Sequence, residues 1–479
     1  QVEMGFSLDS SGETIYFRNA AGTRVIDALK FGGQENGVSL GRFPNGGAEF
    51  HRMAGLTLGS PNGARRIDDV VINEIMYDPI SGDQDDEFVE LYNQGPGTID
   101  LSGWRLKGGI SFTFPDGVDI SAGGYVVVGR DALRLQTNYA QLNASNTYGD
   151  YNGRLANGGE RVTLDMPDTV IDHTVPGHPE TNLIHIVVDD VTYGTGGQWP
   201  VWAKGGGSSL ERTDPRVNPR RPSTWADSDE TGKADWTELS VTGLLELGAR
   251  GASRIEGGLQ GAGECLLDDV QVVHDGANYV NNPTFNSGLD DWVMRGSHGR
   301  SSLEANGYGG TSCLHIRAST RHDTGANQIS GSLSSSLGNG DTAPISARAT
   351  WQKGYPWLYL RLHGNYLEAP VRLDIPANLG TPGQANSQAV ANAAPVIDEV
   401  THEPAVPSAG QAVVVSARAE DPDGLASLSV HYRVDPSSTY ASVAMNDTGT
   451  LGDAVAGDGI YSATIPAQSA DTLVAFYVR

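Results

Sequence analysis

Cysteine is nearly absent. Cys265 and Cys313 are the only two in 479 residues, too few for a disulfide scaffold or a zinc site of their own. Both fall in one proposed module, so a single disulfide and two buried thiols are both open. Long apolar runs are missing as well. No stretch approaches the about 18 residues that a membrane-crossing helix needs, and no apolar leader precedes the opening Gln-Val-Glu. Cations are scarce: 32 Lys and Arg stand against 58 Asp and Glu, a formal net charge of −26. Such a chain is repelled by phosphate backbones and anionic lipid, so no nucleic acid and no membrane surface is expected as a partner. The same acidity suits calcium, or simply solubility outside a cell. Long amphipathic helices are lacking too, the best short candidate being 132–140, where Leu133 and Leu135 with the neighbouring Arg residues could make two turns.

The motifs of common enzymes are also missing. There is no Gly-x-Ser-x-Gly elbow, no phosphate-cradling loop opening a helix and no His-Glu-x-x-His. Glycosidases need two carboxylates roughly 5–10 Å apart, and Asp85, Asp86, Glu87, Glu90, Glu264, Asp268, Asp269 and Glu368 supply carboxylates. Asp85-Asp86-Glu87 precedes an apolar run and reads as a solvated loop, so no catalytic residue is expected. His173, His178 and His185 lie beside Asp172, Asp189 and Asp190, but at no zinc spacing and among Pro and Gly, as in an ordinary loop.

What is present is strand after strand. Glycine is abundant, with 62 residues spread between apolar runs as turns. The length alone suggests about three or four domains. The clearest stretch, 70–129, holds Val70-Val71-Ile72-Asn73-Glu74-Ile75, Glu87-Phe88-Val89-Glu90-Leu91-Tyr92-Asn93, Leu101-Ser102-Gly103-Trp104-Arg105-Leu106 and Gly124-Tyr125-Val126-Val127-Val128. Four short runs rich in β-branched and aromatic residues, separated by Gly, Pro and Asp, predict an all-β sandwich. Taken together and in this order, they resemble the lamin-tail domain. That resemblance implies an immunoglobulin-like sandwich of the kind found in nuclear lamins and in large secreted bacterial proteins. In such bacterial proteins lamin-tail and Ig-like modules often accompany a kinase-like domain of the spore-coat type; no kinase motif occurs here.

An internal duplication follows. Leu8 to Phe17 parallels Leu155 to Leu164, Val25-Ile26-Asp27 parallels Val170-Ile171-Asp172, and Ser39-Leu40-Gly41-Arg42 parallels Ser209-Leu210-Glu211-Arg212. Leu58-Gly59-Ser60-Pro61-Asn62 parallels Leu379-Gly380-Thr381-Pro382-Gly383, which Asn386 follows. Residues 1–62 are therefore expected to be the C-terminal half of a first lamin-tail domain, and both ends to be cut from a longer polypeptide. The second copy, 68–228, closes only at 379–386, which leaves 229–378 as an insertion of roughly 150 residues in a loop where insertion costs little.

Within the insertion, Leu266-Leu267-Asp268-Asp269-Val270 and the run from Asn282 through Phe285 and Gly288 to Trp292 resemble the closing and opening motifs of carbohydrate-binding jelly rolls, in reversed order. One permuted jelly roll is expected, with further strands at 346–350, 357–362 and 367–373. Trp351, Tyr355, Trp357, Tyr359, Arg361, His363 and Asn365 are the candidate ligand-binding residues. Leu358, Leu360 and Leu362 alternate with Tyr359, Arg361 and His363, as on a strand with one wet face. The competing reading packs these aromatics into the core or the joint. That jelly-roll resemblance implies a structural calcium at Asp268 or Asp269 with Asn282 and Asn286. A linker, 384–394, leads to an Ig-like or fibronectin-like module at 395–479 with strands at 396–400, 411–419, 427–434, 459–465 and 472–478. There Asp421 and Asp423 in one turn and Asp453 and Asp458 in another are a second candidate calcium set.

The reading is a non-catalytic stretch of an extracellular or surface-anchored bacterial protein, structural or adhesive. Its expected partners are a glycan, extracellular matrix or other surface proteins, with self-association as an option. The alternatives are the targeting region of a carbohydrate-active enzyme, or a self-assembling envelope or filament subunit.

Overall fold

The computed structural model describes residues 7–172, 180–246, 251–323, 325–363 and 367–479. The chain is all-β, with tandem sandwiches and, among the described residues, one α-helix of two turns, Ala132–Asn138. Asp131 caps that helix by accepting from the Arg134 N–H at 2.9 Å, and Leu135 is its buried anchor.

Residues 64–227 form a two-sheet sandwich. One sheet runs in the order Thr147–Tyr148, Tyr125–Gly129, Phe88–Asn93, Val70–Met76, Leu210–Arg212, Trp225–Asp227. The other runs Asn152–Gly153, Ile110–Thr113, Arg105–Lys107, Glu160–Asp172, Glu180–Tyr193. Ile72, Ile75, Val89 and Leu91 of the first sheet meet Leu106, Val162, Leu164 and Val191 of the second in one core. The Val70–Met76 strand is buried at every position because its other face is covered as well. Its register shifts between Ile72 and Glu74, so Asn73 is a bulge residue. Between the sheets Arg212 pairs with Asp189 at 3.0 Å, both buried, and Asp189 also accepts from the Ile72 N–H.

The inserted stretch forms a second sandwich with a single core. Thr237–Leu244, Thr342–Gly354, Gly263–His274, Cys313–Ala318 and Ser302–Glu304 make one sheet; Trp292–Arg295, Gln328–Leu337, Ala252–Leu259, Trp357–Leu362 and Glu368–Arg372 make the other. Cys265 and Cys313 lie on paired strands as buried free thiols; burial pushes the Cys313 thiol up to about 12. The C-terminal module has two three-stranded sheets, Val396–Glu403, Val413–Glu420, Ile460–Ile465 and Ala441–Ala444, Ser429–Val434, Val474–Val478. The strand Ala441–Ala444 is absent from the sequence reading, its residues being small and exposed. Residues 7–62 hold two separate hairpins, Thr14–Arg18 with Val25–Lys30 and Leu40–Arg42 with Phe50–Arg52.

Candidate functional site

The densest chemistry lies where the chain returns from the insertion. Glu74, Glu90, Glu211 and Glu230 are all buried on the outer side of the first sheet, and residues 379–388 lie across them. Glu74 accepts from Ser209 Oγ at 2.5 Å and from the Thr381 N–H at 2.8 Å. Thr381 Oγ1 donates to Glu211 at 2.6 Å, which also accepts from Ser387 Oγ and the Gln388 N–H. Glu90 accepts from Asn73 Nδ2 and the Gly383 N–H, and Glu230 from the Gly380 N–H. Asn386 seals the joint: its Nδ2 donates to the Arg212 carbonyl at 2.8 Å, and its Oδ1 accepts from Asn73 Nδ2. Gly380 and Gly383 both have positive φ, at +79° and +83°; a Cβ on Gly380 would meet Glu74 Oε1 at 2.5 Å, so the close approach needs glycine. Burial first, then the Glu211 charge, pushes Glu74 up to about 8, and burial with Glu74 raises Glu90 well above its usual range. A buried carboxyl left without donors would be costly. Here the returning segment supplies them.

A second cluster sits in the C-terminal module. Asp447, Asp453 and Asp458 each bring a carboxylate oxygen within 4.8 Å of the others, the last two buried. Asp447 is held by the N–H groups of Gly457, Asp458 and Gly459. Burial, then the charges of Asp447 and Asp453, raises Asp458. An all-oxygen set with turn carbonyls nearby fits a hard cation such as calcium. Asp421 and Asp423 are not in it: Asp421 accepts from the Asp423 N–H, and Asp423 pairs bidentately with Arg216 of the preceding sandwich at 2.6 and 2.8 Å. The missed member, Asp447, follows the bridge of Asn446 to Ser462 and is brought to the cluster by that bridge and by the N–H groups of 457–459.

In the insertion, Asp268 and Asn286 both face the 307–312 turn, Asp268 accepting from Thr311 Oγ1 and Asn286 from the Ser312 N–H. Asn282 instead ties its own loop through Gly288, Asp290 and Ser287, and Asp269 accepts from Gln271. Asp268 and Asn286 are thus brought to one turn, while Asn282 and Asp269 bond to their own loops.

The aromatic set divides in the same way. Trp351 is fully buried, its Nε1 donating to the Gly354 carbonyl at 2.9 Å, so it packs the joint and offers no face to a ligand. Arg361 is buried against Glu256 at 2.9 Å, and His363 pairs with the same carboxylate. Tyr359 lies 5.4 Å from the His322 ring, and Asn365 lies outside the described residues. The alternation is as expected, but the second face is largely covered rather than wet. Tyr355 and Trp357 remain exposed, at 47% and 39%. Tyr355 lines a groove of about 700 Å³ between the two sandwiches with Trp202, Lys204 and Arg372, a place the sequence reading had not singled out.

The carboxylates weighed for catalysis are employed in structure. Glu87 accepts from Tyr151 Oη and the Leu155 N–H, Asp85 and Asp86 pair with Arg130 and Arg134, and Glu264 pairs with His315. Asp190 pairs with Arg161 and Arg220, while His173 and His178 lie outside the described residues. No helix among the described residues is long and apolar enough to cross a membrane, which says nothing of a β-barrel.

The architecture is thus that of a modular chain of immunoglobulin-like and related β-sandwiches. Within it, residues 64–178 match the family model of the Lamin Tail Domain. That match ends before the closing segment and the insertion. No curated protein matches the chain. Among solved structures, the N-terminal eight Ig domains of Down Syndrome Cell Adhesion Molecule isoform 1.30.30 align at 10% identity over 80% of this chain and 66% of that one, so this chain spans just under two thirds of its length. The TM-score is 0.11, too low to say anything further.

Proposed function

We propose that this chain is a non-catalytic spacer of an extracellular or cell-surface protein, holding a glycan-recognising insertion at a fixed angle. The observation that carries the reading is the buried joint at 379–388. Both ends of the insertion enter the lamin-tail sandwich, and its return is held by four buried carboxylates. Arg216 to Asp423 and Arg221 to Asp398 tie the last module to the same sandwich. A tethered lectin needs no such joint, whereas a load-bearing spacer does. Glycan recognition is assigned to the groove edge, where Tyr355, Trp357 and Trp202 supply aromatic faces and Lys204 and Arg372 supply donors; stacking of apolar sugar faces on aromatic rings suits such a surface. The test is a glycan array of the full chain: Trp357→Ala or Tyr355→Ala is expected to weaken binding at least tenfold with the melting temperature unchanged. Absence of binding by the unaltered chain, with and without calcium, would remove the glycan part and leave the spacer.

The Asp447, Asp453 and Asp458 cluster is proposed as a structural calcium site. A cation that binds only the folded module stabilises it by about 3 kcal/mol at a hundredfold excess over Kd. The C-terminal transition is therefore expected to rise in calcium and fall with chelator, and Asp458→Asn should abolish the shift. A transition indifferent to calcium would refute the site.

A further inference from the structure

The two N-terminal hairpins repeat, residue for residue, the last two hairpins of the 64–227 sandwich. Ile15 pairs with Leu29 as Val162 pairs with Val191, and Arg42 pairs with Phe50 as Arg212 pairs with Trp225; Asp27 thus corresponds to Asp189 and not, as the sequence parallel has it, to Asp172. Even the closing contact recurs: Asn62 Nδ2 donates to the Arg42 carbonyl at 3.0 Å, as Asn386 does to Arg212 at 2.8 Å. Gly59 has φ +76°, matching Gly380 at +79°.

What differs is burial. In the complete sandwich, Leu106 pairs with Leu164 and Ile75 with Leu210, and both Leu164 and Leu210 are buried. Phe17, the counterpart of Leu164, is 63% exposed, and Leu40, the counterpart of Leu210, is only half-buried. Each N-terminal hairpin is a separate two-stranded sheet among the described residues. Free strand edges flanked by exposed apolar side chains are what proteins ordinarily cover.

We propose that residues 7–62 form a docking surface for one kind of partner, the first half of a lamin-tail sandwich. That partner would add a strand of the Arg105–Lys107 type to the edge of Thr14–Arg18 and one of the Val70–Met76 type to Leu40–Arg42. The complete copy within the same chain is what specifies this occupant: it shows which strands cover each counterpart residue and in what register.

The test is hydrogen exchange on the full chain and on the same chain extended ahead of residue 1 by a second copy of residues 64–153. The extension is expected to slow exchange at Thr14–Arg18 at least tenfold, and Phe17→Asp to cancel the gain. Unchanged exchange would overturn the proposal. So would a dimer of the unextended chain in sedimentation that Phe17→Asp dissolves, since that assigns the surface to a second copy. Independently of the extension, Phe17→Ser is expected to leave the melting temperature of the unextended chain unchanged while Leu164→Ser lowers it. An equal loss from both would show the surface already in use.

Discussion

Trp351→Ala is expected to destabilise the chain by about 3–5 kcal/mol, the cost of opening a large cavity in a packed core. The loss should reach two modules at once. The indole belongs to the insertion, yet its ring lies against Gly207 of the lamin-tail sandwich, where a Cβ would come within 2.5 Å of the ring, and Leu379 packs at the same place. Gly207 has φ +102°, so the backbone there cannot readily take a side chain to fill the hole. Urea denaturation followed by hydrogen exchange checks this. Protection should fall together in Leu210–Arg212 and in Thr342–Gly354; a loss confined to the insertion would mean that the indole is an ordinary core residue of one module.

Raising the pH from 6 to 9.5 is expected to weaken the joint by about 3 kcal/mol through Glu74. Burial and mutual repulsion place Glu74 at about 8 in the folded chain against an ordinary value of 4.5, with Glu90 raised as well. A carboxyl whose folded value lies above its unfolded value contributes stability that is complete below the unfolded value and is lost as pH rises through the folded one. The loss therefore accumulates between the two values and is complete just above pH 8, and segment 379–388 should loosen first. Glu74→Gln keeps the shape and cannot ionise; it is expected to flatten the alkaline limb of a plot of melting temperature against pH. An alkaline limb unchanged in that variant would exonerate Glu74.

The strands of the lamin-tail sandwich were legible in the sequence because their β-branched runs are bounded by Gly, Pro and Asp, and short-range pattern decides them. The role of Glu74 and Glu90 was not. Each looks like the polar member of an alternating strand, and only a segment some 300 residues later in sequence, folding back as a closing loop, turns that face into an interior. Trp351 shows the converse failure: next to a run rich in aromatics and cations it reads as part of a ligand face, until the neighbouring module covers the indole. In the C-terminal module, Asp453 and Asp458 were identifiable from their Gly-rich turn. Their third partner is Asp447 and not Asp421 or Asp423, because strand pairing and the Arg216 ion pair, neither visible locally, decide which loops meet.

The joint itself is tested most directly by the distance between spin labels at Leu133→Cys, on the exposed side of the helix Ala132–Asn138, and Leu303→Cys, on the exposed edge of the insertion. Cys265 and Cys313 are buried and should stay unlabelled. A single narrow distance is expected in the otherwise unaltered chain, broadening when Asn386→Ala removes the contacts to Asn73 and Arg212. A broad distribution before that substitution, or one unmoved by it, would contradict a rigid spacer and leave the insertion a tethered module.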